Sequence, residues 1–118
     1  MREEAPAAKN QGIAVKRSLS HALSGLGQRV RCVLELSPLP PGTRLEVPVP
    51  GGCRLLTNEL GAELRGGVLH LEPRASRVEL DLVTRHPGRY LVLPARARAR
   101  DGSWGTSQEA RLEIKSEP

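Results

Sequence analysis

The chain of 118 residues has no phenylalanine, one tyrosine (Tyr90) and one tryptophan (Trp104). A packed core must therefore be built from Leu, Val, Ile and Ala. Because these residues come with 12 glycines and 10 prolines, the composition favours short strands joined by tight turns over long helices. The scarcity of aromatic rings also argues against nucleic acid as a partner, since readers of RNA and of single strands stack bases on such rings.

Cysteine and histidine are also scarce. The two cysteines, Cys32 and Cys53, cannot hold zinc without help from His or carboxylate ligands, and the three histidines lie far apart in the sequence. We therefore expect no metal site and no cofactor. Cys32 lies in an apolar segment typical of a buried strand. A Cys32–Cys53 disulfide is one alternative in an oxidising compartment, and two free thiols are the favoured one.

Long apolar runs are absent too. No segment approaches the roughly 18 apolar residues of a membrane span, so we expect no direct membrane insertion. Residues 1–11 are polar, rich in Ala and Pro, and lack a signal-peptide core. They are interpreted as a linker or boundary region, followed by one domain over residues 12–118. If the domain belongs to a longer polypeptide, the missing signal says nothing about its localisation.

Charge is plentiful and mainly positive, with a net charge of +5. Of the 18 basic residues 15 are arginine, and they are spread from Arg2 to Arg111 rather than clustered. A dispersed charge is typical of a solvated surface, and it does not favour a nucleic-acid-binding stripe.

The most regular pattern lies near the end of the chain. Residues 89–102 alternate small or apolar residues with charged ones and stop at Asp-Gly, and residues 109–115 alternate again after a Gly-Ser-Trp-Gly-Thr-Ser connection. Since side chains alternate between the two faces of a strand, both runs predict half-buried antiparallel strands.

Further strands are predicted at 13–19, 28–37, 44–50, 63–65, 68–71 and 77–84. Residues 20–27 are predicted as a loop, and Gly66-Gly67 as a hairpin turn. Residues 54–60 are ambiguous, because Leu56, Leu60 and Leu64, spaced four residues apart, suit a short helix that Gly61 weakens. The pattern predicts an all-β fold, an antiparallel immunoglobulin-like β-sandwich of seven or eight strands with at most one short helix.

No catalytic motif emerges. The serines lack a Gly-x-Ser-x-Gly elbow, and Gly102-Ser103-Trp104-Gly105 has the composition of a turn. Carboxylate pairs fall on the polar faces of predicted strands, and the Gly-Gly pairs lack the flanking residues of a phosphate-binding loop. We therefore expect a non-enzymatic protein.

Arg96, Arg98 and Arg100 project from one face of the predicted strand, about 7 Å apart. The favoured interpretation is structural, with cross-strand pairing to Glu79, Glu109 or Glu113. The alternative is an interaction face for an anionic partner, either a protein or lipid headgroups.

Read in order, the segments resemble the C-terminal domain of bacterial alpha-2-macroglobulin-like proteins. Gly-Ile-Ala-Val-Lys-Arg at 12–17 resembles that domain's opening Gly-hydrophobic-x-Val-x-Arg strand. Val-Pro-Val-Pro-Gly-Gly at 47–52 resembles its Leu-Pro-Ala-Gly turn without the acidic residue. Similar stretches lie at 27–36, 77–82, 87–90, 93–97, 105–107 and 110–114.

The resemblance implies a non-catalytic structural and interaction module, the receptor-binding-like terminal domain of a protease-trapping inhibitor. Its partners would be the other domains of the parent chain and, through that chain, proteases, in the periplasm or outside the cell. The family's Cys-x-x-Gln thioester motif is absent here, as are the Met-Tyr usual between the last two strands and the lysines of the receptor-binding helix. The alternative is a free-standing immunoglobulin-like adhesion module that uses the Arg-rich face.

Overall fold

The computed structural model describes residues 9–56 and 61–117, which form 13 short strands and no helix. The strands are β1 (Lys9–Gln11), β2 (Ala14–Leu19), β3 (Leu23–Ser24), β4 (Arg29–Ser37), β5 (Arg44–Pro48), β6 (Cys53–Leu55), β7 (Glu63–Arg65), β8 (Val68–Leu71), β9 (Arg77–Thr84), β10 (Gly88–Val92), β11 (Arg96–Arg98), β12 (Trp104–Thr106) and β13 (Ala110–Ile114).

The strands build a two-layer, mainly antiparallel sandwich of immunoglobulin-like type. One layer is the sheet β2-β4-β9-β6, and the other combines the sheets β1-β12-β11-β5-β8-β7 and β10-β13-β3. β10 and β11 follow each other along one broken strand, and β12 and β13 along its neighbour. At the break the N–H of Ser107 donates to the carbonyl oxygen of Ala95 over 2.9 Å, so the hairpin continues across it.

The core lies between the layers and is aliphatic, as the composition predicts. In β4 the predicted face of Val30, Cys32, Leu34 and Leu36 is buried and the alternate residues are exposed or half-buried. The central strand β9 repeats this alternation. Tyr90 and Trp104, the two aromatic residues, are only half-buried.

The Gly-Gly hairpin is confirmed. Gly66 and Gly67 connect β7 to β8 with φ values of 57° and 77°. Two successive residues with positive φ make the turn whose twist suits a two-residue hairpin, and glycine adopts that conformation at no steric cost.

The strand count was predicted too low, because two long strands are broken and several strands have only two or three residues. Three segments differ from the sequence prediction. Lys9–Gln11, assigned to a linker, forms β1 against β12. The predicted loop 20–27 contains β3, which pairs in parallel with β13. Trp104–Thr106, predicted as part of a turn, forms β12.

A short helix through Leu56, Leu60 and Leu64 does not reach its predicted end, because Leu64 lies in β7, and Leu55 ends β6 just before Leu56. Residues 57–60 lie outside the described residues.

Candidate interaction surface

The predicted arginine row lies on the outer face of the six-stranded sheet. Arg96 and Arg98 belong to β11, Arg100 follows it, and all three side chains are exposed. The alanines between them, Ala97 and Ala99, face the core with exposed fractions of 0% and 6%. This strict alternation places the three guanidinium groups on one side of the sheet.

A tight turn ends the row, as the Asp-Gly pair predicts. Gly102 has a φ of 91°, and the N–H of Ala99 donates to the carbonyl oxygen of Ser103 over 2.8 Å. The carboxylate of Asp101 accepts a hydrogen bond from the N–H of Ser103 over 2.8 Å, and this bond lowers the pKa of Asp101. The side chain of Asp101 is therefore held within the turn.

The predicted cross-strand partners of the row are wrong. Glu79 lies on β9 in the other layer, 3.3 Å from Arg77, and Glu113 lies 3.9 Å from Arg89. The strands beside β11 are β5 and β12, so that Arg96 stands opposite Glu46. The error arises because the order of strands along the chain does not give their order in the sheet.

Arg98 stands opposite a residue that the sequence analysis missed, Arg44 of β5. Like charges directly opposite each other destabilise a strand pair. Arg44 has a carboxylate of Glu72 at 3.8 Å, and both side chains are largely exposed. Within the described residues no carboxylate lies within 4.0 Å of the arginines of the row: Arg96, Arg98 and Arg100.

One shallow groove of about 190 Å³ is lined by the arginine row and Arg44, together with Glu46 and Gly42. The side chain of Arg100 packs directly on Gly42, and a Cβ at this position would lie 2.7 Å from the Arg100 side-chain atoms. The groove is therefore cationic, with Glu46 as the carboxylate in its wall. We call it the arginine groove.

The outer face of the other layer is arranged differently. Arg31 pairs with Asp81 over 3.1 Å and with Glu79 over 3.8 Å, and the hydrogen bond to Asp81 raises the pKa of Arg31. Arg77 likewise has Glu79 at 3.3 Å, so two arginines of this layer face carboxylates.

A second surface is apolar. Leu23, Leu91 and Leu93 are more than half exposed, at 51%, 52% and 55%. Leu91 lies opposite Arg111 on β13, and Leu23 of β3 lies opposite Glu113. The outer face of the sheet β10-β13-β3 therefore combines exposed leucines with charged neighbours.

Arg17 lies where the two layers meet at the strand break. Its guanidinium donates to the carbonyl oxygens of Val92 over 3.1 Å and Gln108 over 2.9 Å, and also to that of Leu93. Burial lowers the pKa of Arg17. The sequence carried a signal for this role, since position 17 falls on the apolar face that β2 shares with Val15.

The two cysteines are free thiols. Cys32 is opposite Leu80 and Cys53 is opposite Thr84, so β9 separates them. Across the sheet the two cysteines are two strand spacings apart, about 10 Å. Along the strand direction they are offset by four residues, about 13 Å. A disulfide needs Cα atoms within about 7 Å, so the bridged alternative does not fit this register.

Within residues 9–56 and 61–117, no three His, Cys, Asp or Glu side chains are grouped so as to hold a metal ion. Nor does this part of the chain contain a helix with the length and apolar character needed to cross a membrane.

Comparison of the sequence with family models gives no match, and comparison with curated proteins gives none that is significant. The fold does match solved structures. Over 98% of its length the chain superimposes on Salmonella alpha-2-macroglobulin, solved as the mutant Y1175G, with a TM-score of 0.77 and 13% identity. The match covers 10% of that protein, so the chain spans about a tenth of its length.

A second similar structure is a non-cellulosomal cohesin from the hyperthermophilic archaeon Archaeoglobus fulgidus. Its TM-score is 0.50 and its identity 10%, with 87% of this chain and 92% of the cohesin covered. At these identities the likeness concerns the fold.

Proposed function

We propose that this chain is the non-catalytic terminal domain of a macroglobulin-like, protease-trapping protein. The observation that carries the proposal is the likeness over 98% of the chain, at a TM-score of 0.77, to a domain-sized tenth of Salmonella alpha-2-macroglobulin. The sequence resemblance supports it from the residues, because the opening Gly-Ile-Ala-Val-Lys-Arg segment supplies Arg17, which joins the two layers.

In this proposal the domain acts by packing. It covers neighbouring domains of a longer chain in the periplasm or outside the cell, and meets proteases only through that chain. The exposed Leu23, Leu91 and Leu93 support this role, since large apolar side chains at the surface, set among charged residues, become buried when a neighbouring domain packs on them. No residue of this domain takes part in covalent chemistry.

The alternative is a free-standing immunoglobulin-like adhesion or binding module. The similarity to a cohesin, of which 92% is covered, supports this alternative, because there a comparable fold makes up nearly the whole chain. The two proposals differ in what precedes residue 1 in the gene.

The test is to read the complete reading frame and to assay the encoded protein for trapping. We expect further domains upstream, with a Cys-x-x-Gln motif as added support. Incubated with the full-length protein, trypsin should still cleave a small chromogenic peptide but lose most of its activity on casein. A stop codon directly before residue 1, or undiminished casein cleavage with the full-length protein, contradicts the proposal.

A further inference from the structure

The arginine groove places four arginines side by side, with Glu46 as the carboxylate in its wall. Arg98 and Arg44 stand directly opposite each other, an arrangement that destabilises a strand pair. On the other layer Arg31 and Arg77 face carboxylates at 3.1 to 3.8 Å. Arg96, Arg98 and Arg100 have no carboxylate within 4.0 Å among the described residues, so their charge is available to an anionic partner.

The spacing of the row sets the form of that partner. Arg96 and Arg98 occupy alternate positions of β11, so their Cα atoms lie about 7 Å apart, and Arg100 extends the row at the start of the turn. An extended polypeptide with Asp or Glu at every second residue displays carboxylates on one face at this same repeat. Arginine binds a carboxylate through two parallel N–H···O bonds, which adds geometric selectivity to the attraction.

We propose that the arginine groove binds an extended acidic segment of a partner polypeptide, with carboxylates at alternate positions. Glu46, in the groove wall opposite Arg96, lowers the positive charge at that end of the groove. It disfavours a surface dense in phosphate. This binding surface is independent of the proposed function, since it involves only the groove residues and requires no longer chain.

Two other anionic partners fit less well. A single-stranded nucleic acid would need stacking surfaces, and the aromatic residue beside the row is the half-buried Trp104, opposite Arg98. An anionic membrane favours cationic side chains that lie together on a flat surface, whereas the four arginines of the arginine groove line a shallow concave surface. Both partners are included in the test as competing probes.

The experiment is fluorescence anisotropy with labelled synthetic peptides at physiological salt. The first peptide alternates Glu and Thr, and the second has the same composition with all Glu in one block. We expect the alternating peptide to bind about tenfold more tightly than the block peptide, since only the first matches the repeat of the row. The variant R96Q/R98Q/R100Q should weaken binding of the alternating peptide by about tenfold or more.

The matched control is R29Q/R54Q/R85Q, which removes the same charge from exposed positions of the other layer. Its affinity should stay within about twofold of the unmodified protein. Thermal unfolding establishes that each variant is folded, and the single variant R98Q serves if the triple variant is not.

Four results overturn the proposal: equal affinity for the two peptides, an equal loss in the control variant, tighter binding of single-stranded DNA or of phosphatidylglycerol vesicles, or no binding of either peptide.

Discussion

Gly105 of β12 lies directly beneath the main-chain carbonyl of Ile13. A Cβ built on Gly105 would lie 1.8 Å from the Ile13 oxygen. Because that oxygen belongs to the main chain, no side-chain rotation can relieve the contact. The residue just before β2 therefore crosses β12 at a distance that only glycine permits, and this crossing joins the two layers.

The first prediction concerns this crossing. Gly105→Ala should lower the free energy of unfolding by about 3 kcal/mol or more, since the strands must separate to accept the methyl group. Urea unfolding measures this. Gly51→Ala is the matched control, because its Cβ would meet Tyr90 at an ordinary 3.6 Å. It should change stability by less than about 1 kcal/mol, and an equal loss in both variants would contradict the crossing.

The second prediction concerns Arg17. Arg17→Lys keeps the charge but replaces a planar group with a compact ammonium, which cannot reach the carbonyls of Val92, Leu93 and Gln108 together. We expect a loss of about 2 to 3 kcal/mol in urea unfolding. The exposed Arg29→Lys should cost less than about 0.5 kcal/mol. If Arg17→Lys leaves the free energy of unfolding nearly unchanged, the hydrogen bonds of Arg17 across the strand break contribute little to stability.

The third prediction concerns Ser107, whose hydroxyl accepts a hydrogen bond from the N–H of Ala95 over 2.8 Å. Both residues are buried, at 2% and 0% exposure. Ser107→Ala leaves that N–H without its partner and should cost about 1 to 3 kcal/mol in thermal or urea unfolding. Ser18→Ala, on the exposed face of β2, is the control and should be neutral within about 0.5 kcal/mol. Equal stabilities would show that the break closes without this hydroxyl.

Much of the fold follows from alternation in the sequence. The buried faces of β4 and β9 and the Gly66-Gly67 hairpin were all predicted, because runs of eight or nine residues make a period of two unmistakable. The strands β1, β3 and β12 were missed, since two or three residues are too few to show any period. Their pairing depends on tertiary contacts with strands distant in sequence.

The candidate site was predicted only in part. The row of Arg96, Arg98 and Arg100 is local and could be found from spacing. Its pairing with Arg44 depends on which strand lies beside β11, and alternation does not encode strand order. Arg17 could have been found, because a charged residue on an apolar strand face needs buried partners.

The last prediction concerns the alkaline limit of stability. Burial raises the pKa of the Cys32 thiol from 9.0 to about 11. Between these values the unfolded chain has lost its thiol proton while the folded chain still holds it. The contribution of the Cys32 thiol to the free energy of unfolding is therefore fully present below about pH 9. It is lost as the pH rises toward about 11. The Cys32 contribution at pH 10.5 should be a loss of about 2 kcal/mol.

Urea unfolding under reducing conditions at about pH 8 and about pH 10.5 measures this loss. Cys32→Ala lowers the stability at both pH values, because it removes a buried side chain, but it should show a smaller drop between them. Cys53→Ala is the matched comparison. Burial also raises the pKa of the Cys53 thiol to about 11, so Cys53→Ala should reduce the drop as well. If the unmodified protein and both variants lose the same free energy between the two pH values, the buried thiols do not set the alkaline limit, and other groups that ionise there must do so.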